Sequence, residues 1–386
     1  MRSVLSKTYA AFFHSEKSAG VLLVACTLIS LLVANSALGP AYAAFWLVNI
    51  GGLSLEHWIN DALMAVFFLF VGLELERELY SGELSDLRNA ILPMVAAVGG
   101  IAVPALIHFG LNAGTATQAG AGIPMATDIA FALGALALLG SRVPASLKIF
   151  LTALAVIDDL GAILVIAVFY SGNVSMAYLS CALAVFALLS ALNRLRRVYA
   201  LWPYLLGGAL MWWLMLRSGV HATMAGVMLA FAIPFSATAE DATSPSHRLE
   251  HLLHRPVTFL VLPLFALANT GIVLSGDWQS ALLDANSLGI AAGLVLGKPL
   301  GILGLSLAGV ALGLCRLPAD LGWRHLAGAG MLGGIGFTMS IFIANLAFAG
   351  QPAEINGSKL AILAASALAF VAGYAWLWYA TRDAPS

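Results

Sequence analysis

The chain has 386 residues, 61% of them hydrophobic and only 10% charged, and a mean hydropathy of +0.94, which excludes an ordinary soluble domain. Eighteen Lys and Arg against nineteen Asp and Glu give a net charge of −1, so no field exists to recruit nucleic acid as a partner. Three cysteines, Cys26, Cys181 and Cys315, lie far apart in apolar runs with no CxxC or Cys/His pattern; small buried side chains are expected, not a disulfide framework or a zinc site.

Apolar runs separated by Gly, Pro or charged breaks predict twelve membrane spans, at residues 17–36, 59–79, 91–113, 122–140, 148–171, 174–192, 199–216, 220–236, 256–275, 287–313, 325–349 and 358–380. Each is close to the roughly 20 residues that cross a bilayer as helix, whereas barrel strands would read as shorter alternating segments. The expected fold is an all-α membrane protein of twelve transmembrane helices, with residues 1–386 as one polytopic domain, since even the longest connections, 37–58 and 237–255, leave no room for another. With the N-terminus inside, fifteen of the eighteen basic residues fall on inner connections, Arg217 and Lys359 on outer ones, and Lys298 within a span. That asymmetry predicts both termini to be cytoplasmic.

Taken in order, the spans contain four ionisable groups that fall clearly at mid-span, where hydrocarbon should reject them. The fourth, in GIPMATDIAFALG, has Pro124 just before Thr127 and Asp128, and proline deprives a helix of one donor and exposes carbonyls. The fifth, in TALAVIDDLGAI, carries adjacent carboxylates, Asp158 and Asp159; the tenth carries Lys298. The eleventh runs through Gly328, Gly330, Gly333, Gly334 and Gly336 before Phe337 and Thr338, a density that weakens a continuous helix or serves close helix packing. A charge at the bilayer centre costs about 2.5–3.5 kcal/mol on insertion scales, so these groups point to function. A structural ion pair would account for one acid and Lys298, but three acids face one base.

Successive helix positions point about 100° apart, so Asp158 and Asp159 have different partners. Lys298 needs a nearby acid to remain charged when buried, which leaves the other acid to face a water-filled cavity. Such carboxylates titrate as a coupled unit. A hard cation such as Na⁺ seeks the same oxygens once they are deprotonated, and competition between proton and cation suffices for exchange if the site opens to one side at a time. Interrupted helices in matching halves are also the mark of an inverted-repeat transporter.

The segments WINDALMAVFFLFVGLELERELYSGEL (58–84), GIPMATDIAFALG (122–134), FLTALAVIDDLGAI (150–163), GVHATMAGVMLAF (219–231), RLEHLLHRPVTFLVLPLFALANTG (248–271), GLVLGKPLGI (293–302) and GGIGFTMSIFIANLAF (333–348) together resemble the bacterial NhaA family of sodium/proton antiporters, for which inverted repeats are already known. The resemblance implies two interrupted helices crossing at mid-membrane, with Thr127 and Asp128 at the crossing and Asp128 and Lys298 balancing its charge. It makes Asp158 and Asp159 the cation and proton site, Asp159 the principal ligand and Asp158 alternating between Lys298 and the cation. It further implies a pH-sensing cluster of Glu74, Arg77, Glu78, Glu250, His251 and His254 at the cytoplasmic end, and electrogenic expulsion of Na⁺ or Li⁺ across the bacterial inner membrane in exchange for H⁺. His221 matches another family histidine, expected to pack or tune. No organic cofactor is implied; membrane lipid and a second copy of the chain are the expected partners.

Two departures stand out. Glu76 occupies a position where the family commonly has lysine, and the segment FWLVNIGGLSLEHWIN leaves only a brief hairpin, Val48 to Leu55, where the family's dimer-forming hairpin lies. The rival readings are a sodium-coupled organic-anion symporter, which needs a recognition pocket, and an intramembrane aspartyl protease, which takes its two acids from separate helices.

Overall fold

The computed structural model describes residues 2–170, 174–196, 198–236, 244–274 and 278–382. The described residues are overwhelmingly helical, and the chain divides into two compact units. The first comprises residues 1–37, 86–162 and 269–386, the second residues 38–85 and 163–268.

In chain order the helices are α1 (Arg2–Ala34) and α2 (Gly39–Trp46), then α3 (Leu55–Tyr80), α4 (Leu87–Asn112) and a 3-10 segment, Ala116–Met125. After these come α5 (Ile129–Leu139), α6 (Ala145–Phe169), α7 (Met176–Arg196), α8 (Trp202–Ser218) and α9 (Met224–Ala232). The chain finishes with α10 (Pro245–Asn269), α11 (Trp278–Leu283), α12 (Ala285–Ala311), α13 (Trp323–Gly333), α14 (Phe337–Ala347) and α15 (Pro352–Ala380). Among the described residues, eight helices are long and apolar enough to cross a membrane, or up to ten if α1 with α2 and α13 with α14 each count as one bent span. The pair α13 and α14 bends by 45° at its break.

Every one of the twelve apolar runs contains a helix, but several begin earlier than hydropathy suggests. Helix α10 starts at Pro245, not 256. Pro256 sits inside it, followed by a π-helical turn at Val257–Val261 that accommodates the missing donor. Helix α15 starts at Pro352, so Lys359, expected on an outer connection, is instead buried within a helix, its Nζ 3.4 Å from Asn269 Oδ1. Of the connection 237–255, residues 237–243 lie outside the described residues, and so do 275–277 at the end of the ninth run. Between α2 and α3 a two-residue turn joins β1 (Asn49–Ile50) to antiparallel β2 (Leu53–Ser54). Gly51 and Gly52 have φ of 63° and 94°, the left-handed backbone that a tight hairpin turn requires.

Within the first unit, α4 and α12 approach at Gly99 and Gly301, where a Cβ on either would lie 2.1 Å from the other's carbonyl oxygen. Within the second, α3 and α9 meet the same way, with a Cβ at Gly226 placed 2.1 Å from the Ala65 carbonyl oxygen. Small residues at such contacts are how helices associate when lipid tails remove the hydrophobic drive. The outside is apolar too: Leu32, Leu106, Leu300, Leu368 and Val371 of the first unit are exposed, as a lipid-facing surface demands. Cys181 on α7 is exposed for the same reason, correcting the expectation that all three cysteines are buried; Cys26 and Cys315 are.

Candidate functional site

The first unit brings Asp128, Asp158 and Lys298, all buried, to the place where two helices are interrupted. Pro124 ends the 3-10 segment, Ala126 is extended, and the chain reaches Thr127 and Asp128 before α5 begins. Gly334 to Gly336 likewise separate α13 from α14. The two breaks bond to each other: the Asp128 amide donates to the Ile335 carbonyl at 2.7 Å, and Thr127 Oγ1 lies 2.8 Å from the Gly333 carbonyl oxygen.

Asp128 is the N-cap of α5, accepting from the Phe131 amide at 3.0 Å. Its other oxygen accepts from the Thr338 amide at 3.1 Å and the Thr338 hydroxyl at 2.5 Å, which puts one carboxylate at the N-terminal ends of both α5 and α14. Helix N-termini carry about half a positive charge each, so a buried acid here is held by two dipoles and three donated contacts. That commits its oxygens to the fold. Thr338 was not singled out for this role from sequence; its signal was its place just past the glycine run.

Asp158 and Asp159 on α6 are both fully buried. Asp158 Oδ2 accepts from Thr127 Oγ1 at 2.8 Å and from Lys298 Nζ, while its Oδ1 has no hydrogen-bond partner among the described residues. Lys298, fully buried on α12, follows a π-helical turn at Gly293–Gly297, a backbone irregularity frequent at functional sites. Thr127 has a single hydroxyl hydrogen for two acceptors, Asp158 Oδ2 and the Gly333 carbonyl, so it donates to only one of them at a time. Carboxylate, hydroxyl and carbonyl oxygens so disposed suit a hard cation. No cluster of three His, Cys, Asp or Glu suited to a resident metal occurs among the described residues.

The second unit brings together four of the six groups assigned to pH sensing. Arg77 Nε pairs with Glu250 Oε1 at 2.8 Å, Nη1 with Glu78 Oε1 at 2.8 Å, and Nη2 with Glu74 Oε1 at 3.9 Å. His254 packs edge-on to Phe70 at 5.8 Å, and His251 is exposed, with no ion pair to this cluster among the described residues. Glu76 is buried and accepts from Ser246 Oγ at 3.2 Å. His221 Nε2 donates to the Tyr170 carbonyl at 2.8 Å. Asp61, which sequence reasoning passed over although it lies in the apolar run WINDALMAV, pairs with His57 at 2.9 Å.

The chain matches the family described as Na⁺/H⁺ antiporter 1 over residues 10–377. It is 70% identical over 373 residues to the Na⁺/H⁺ antiporter NhaA of Dechloromonas aromatica (strain RCB), covering 97% of this chain and 96% of that protein. It is 57% identical over 375 residues to the Na⁺/H⁺ antiporter NhaA 1 of Flavobacterium johnsoniae, covering 97% of each. With the Na⁺/H⁺ antiporter NhaA 2 of Klebsiella pneumoniae it shares 52% identity over 370 residues, or 96% of this chain and 97% of that one.

Proposed function

The chain belongs to the Na⁺/H⁺ antiporter 1 family, and from that premise we propose that it is an electrogenic, pH-regulated Na⁺(Li⁺)/H⁺ antiporter working by alternating access. It is a multi-pass membrane transporter and not an enzyme. The relatives are antiporters over nearly their full length, and a sodium-coupled organic-anion symporter finds no support. The aspartyl protease reading fails on the same ground.

The observation that carries the mechanism is the junction of Thr127, Asp158 and Lys298 inside the first unit, all fully buried. In the proton-loaded state Lys298 holds Asp158 and the neighbouring Asp159 carries a proton. A Na⁺ ion arriving from the cytoplasm takes oxygens from Asp159, Asp158 and Thr127; Asp159 releases its proton, and the displaced Lys298 ammonium releases a second. More protons than cations then cross per cycle, and the proton gradient drives Na⁺ or Li⁺ out. Asp128 stays ionised as the fixed charge that keeps α5 and α14 in place, and Lys298 balances it while its ammonium is intact. The Arg77 cluster with His251 and His254 sets the pH at which the machine turns on.

In this reading residues 1–386 act as one transport domain in the inner membrane, with twelve spans in an inverted repeat, broken helices crossing at mid-membrane, and both termini cytoplasmic. Lipid surrounds it, and a second copy pairs through the hairpin at residues 49–54. Replacing Asp159 by Asn is expected to abolish Na⁺-induced dissipation of a pH gradient in inverted vesicles. Full exchange by that variant would overturn the assignment.

A further inference from the structure

His108 lies near the C-terminal end of α4, fully buried, and has no part in the exchange site. Its Nε2 stands 3.0 Å from Asn286 Oδ1. The amide nitrogen of Asn286 lies 2.9 Å from Ser358 Oγ, and with the amide in this orientation its oxygen faces the ring, which is then the donor. Nε2 therefore carries the hydrogen. Nδ1 is left as an acceptor with no hydrogen-bond partner among the described residues.

Uncharged groups face the ring from each element packed on it. Asn112 shares α4, Gly120 on the 3-10 segment would place a Cβ 3.0 Å from the ring, and Gly289 on α12 would place one 2.8 Å away. Phe348 closes the other side of Gly120. The charged residues nearest in sequence to its partners do not turn toward it: Asp284 is exposed, and Lys359 reaches Asn269.

The same network anchors the 3-10 segment. Asn112 Nδ2 donates to the carbonyls of His108 and Ala285 at 3.0 and 3.1 Å, and Thr117 Oγ1 donates to Asn112 Oδ1 at 2.7 Å. At the segment's other end Ser340 Oγ holds the Ile123 carbonyl at 2.7 Å, four residues before Thr127. A water path from His108 to Lys298 is opposed by packing, since Gly293 and Gly297 lie so close to Pro124 and Pro104 that a Cβ would approach within 2.6 and 2.9 Å. Influence on the ion site must therefore travel through the backbone.

We propose that His108 is a positioning residue for the exchange site: its neutral ring, bonded to Asn286 on α12 and packed against Gly120, steadies the 3-10 segment that leads to Thr127 and Asp128, and a second proton on the ring disturbs that packing. A doubly protonated ring brings a donor and a charge to a place that offers neither an acceptor nor a counter-ion, and histidine is the side chain whose ordinary titration falls in the working pH range. The inference rests on the exchange site assigned above.

The test is the pH profile of Na⁺-driven exchange in inverted vesicles. His108→Gln keeps an N–H donor at the Nε2 position and cannot titrate. It is expected to match the wild-type rate at alkaline pH and to extend activity to more acidic pH, whereas His108→Leu should lose rate and raise the KM for Na⁺ throughout. An acidic limb for His108→Gln that superimposes on the wild type overturns the proposal. In the unmodified protein, amide hydrogen exchange over residues 116–125, corrected for intrinsic rates, should be faster at acidic than at alkaline pH; equal protection overturns it as well. Failure of the underlying site would appear separately, as exchange retained by Asp159→Asn.

Discussion

Under the proposed mechanism, Thr127 is the residue whose replacement separates an ion site from a merely structural ion pair. Its hydroxyl sits 2.8 Å from both Asp158 Oδ2 and the Gly333 carbonyl, so removing it takes away one neutral oxygen without unpairing Lys298. Thr127→Val is expected to raise the KM for Na⁺ by about tenfold, the equivalent of one hydrogen bond to a charged group, while Thr127→Ser stays near the wild type; cation-dependent exchange in proteoliposomes measures both. Lys298 behaves differently. Breaking a fully buried pair leaves an uncompensated charge, so Lys298→Ala should cost about 3–5 kcal/mol of stability, read as a lower unfolding temperature in detergent. Adding Asp158→Asn should recover most of that loss and none of the transport. The acids and Lys298 stood out in the sequence because hydrocarbon tolerates no idle charge. The partners did not: nothing local in GFTMS says that Thr338 donates twice to a residue 210 positions away.

At the scale of elements, each broken helix is legible from the residues that break it, Pro124 in one and the run Gly333–Gly336 in the other. That the two breaks bond to each other is not, because the contact joins segments far apart in the chain. Hydropathy also misplaces helix starts. SHRLEHLLHR is too polar to read as a span, yet it forms the first turns of α10, because a charged face does not prevent a helix that continues into an apolar run. Lys359 was placed outside for the same reason. Glycines in apolar runs carry no visible distinction either, and only packing separates them. A Cβ at Gly301 would strike backbone at 2.1 Å, while one at Gly304, a turn away on the same helix, meets nothing within 4 Å. Gly301→Ala is therefore expected to destabilise by at least the roughly 1–3 kcal/mol of an overpacked core. Gly304→Ala should be neutral or stabilising by up to about 1 kcal/mol from helix propensity. Unfolding temperatures of the two variants, measured side by side, test whether the α4 and α12 contact carries the first unit; equal values would mean that it does not.

For the whole molecule the question is how a chain of net charge −1 couples two ion gradients, and the answer lies in one shared set of oxygens. If protons and Na⁺ compete for Asp158 and Asp159, each competing proton raises the apparent KM for Na⁺ about tenfold per unit fall in pH once the acids are protonated, an increment of about 1.4 kcal/mol. The maximal rate at saturating Na⁺ should change far less. In the proposed function a second pH-dependent element is the Arg77 cluster, where Arg77 ties Glu78 and Glu250 at 2.8 Å each within the second unit. Arg77→Ala is accordingly expected to move the pH range of activity while leaving the slope of log KM against pH unchanged. Flux in proteoliposomes, measured over a grid of Na⁺ concentration and pH for the wild type and this variant, separates the two effects. A wild-type slope of zero would mean that proton and cation do not share the carboxylates, and a slope altered by Arg77→Ala would place regulation inside the exchange site.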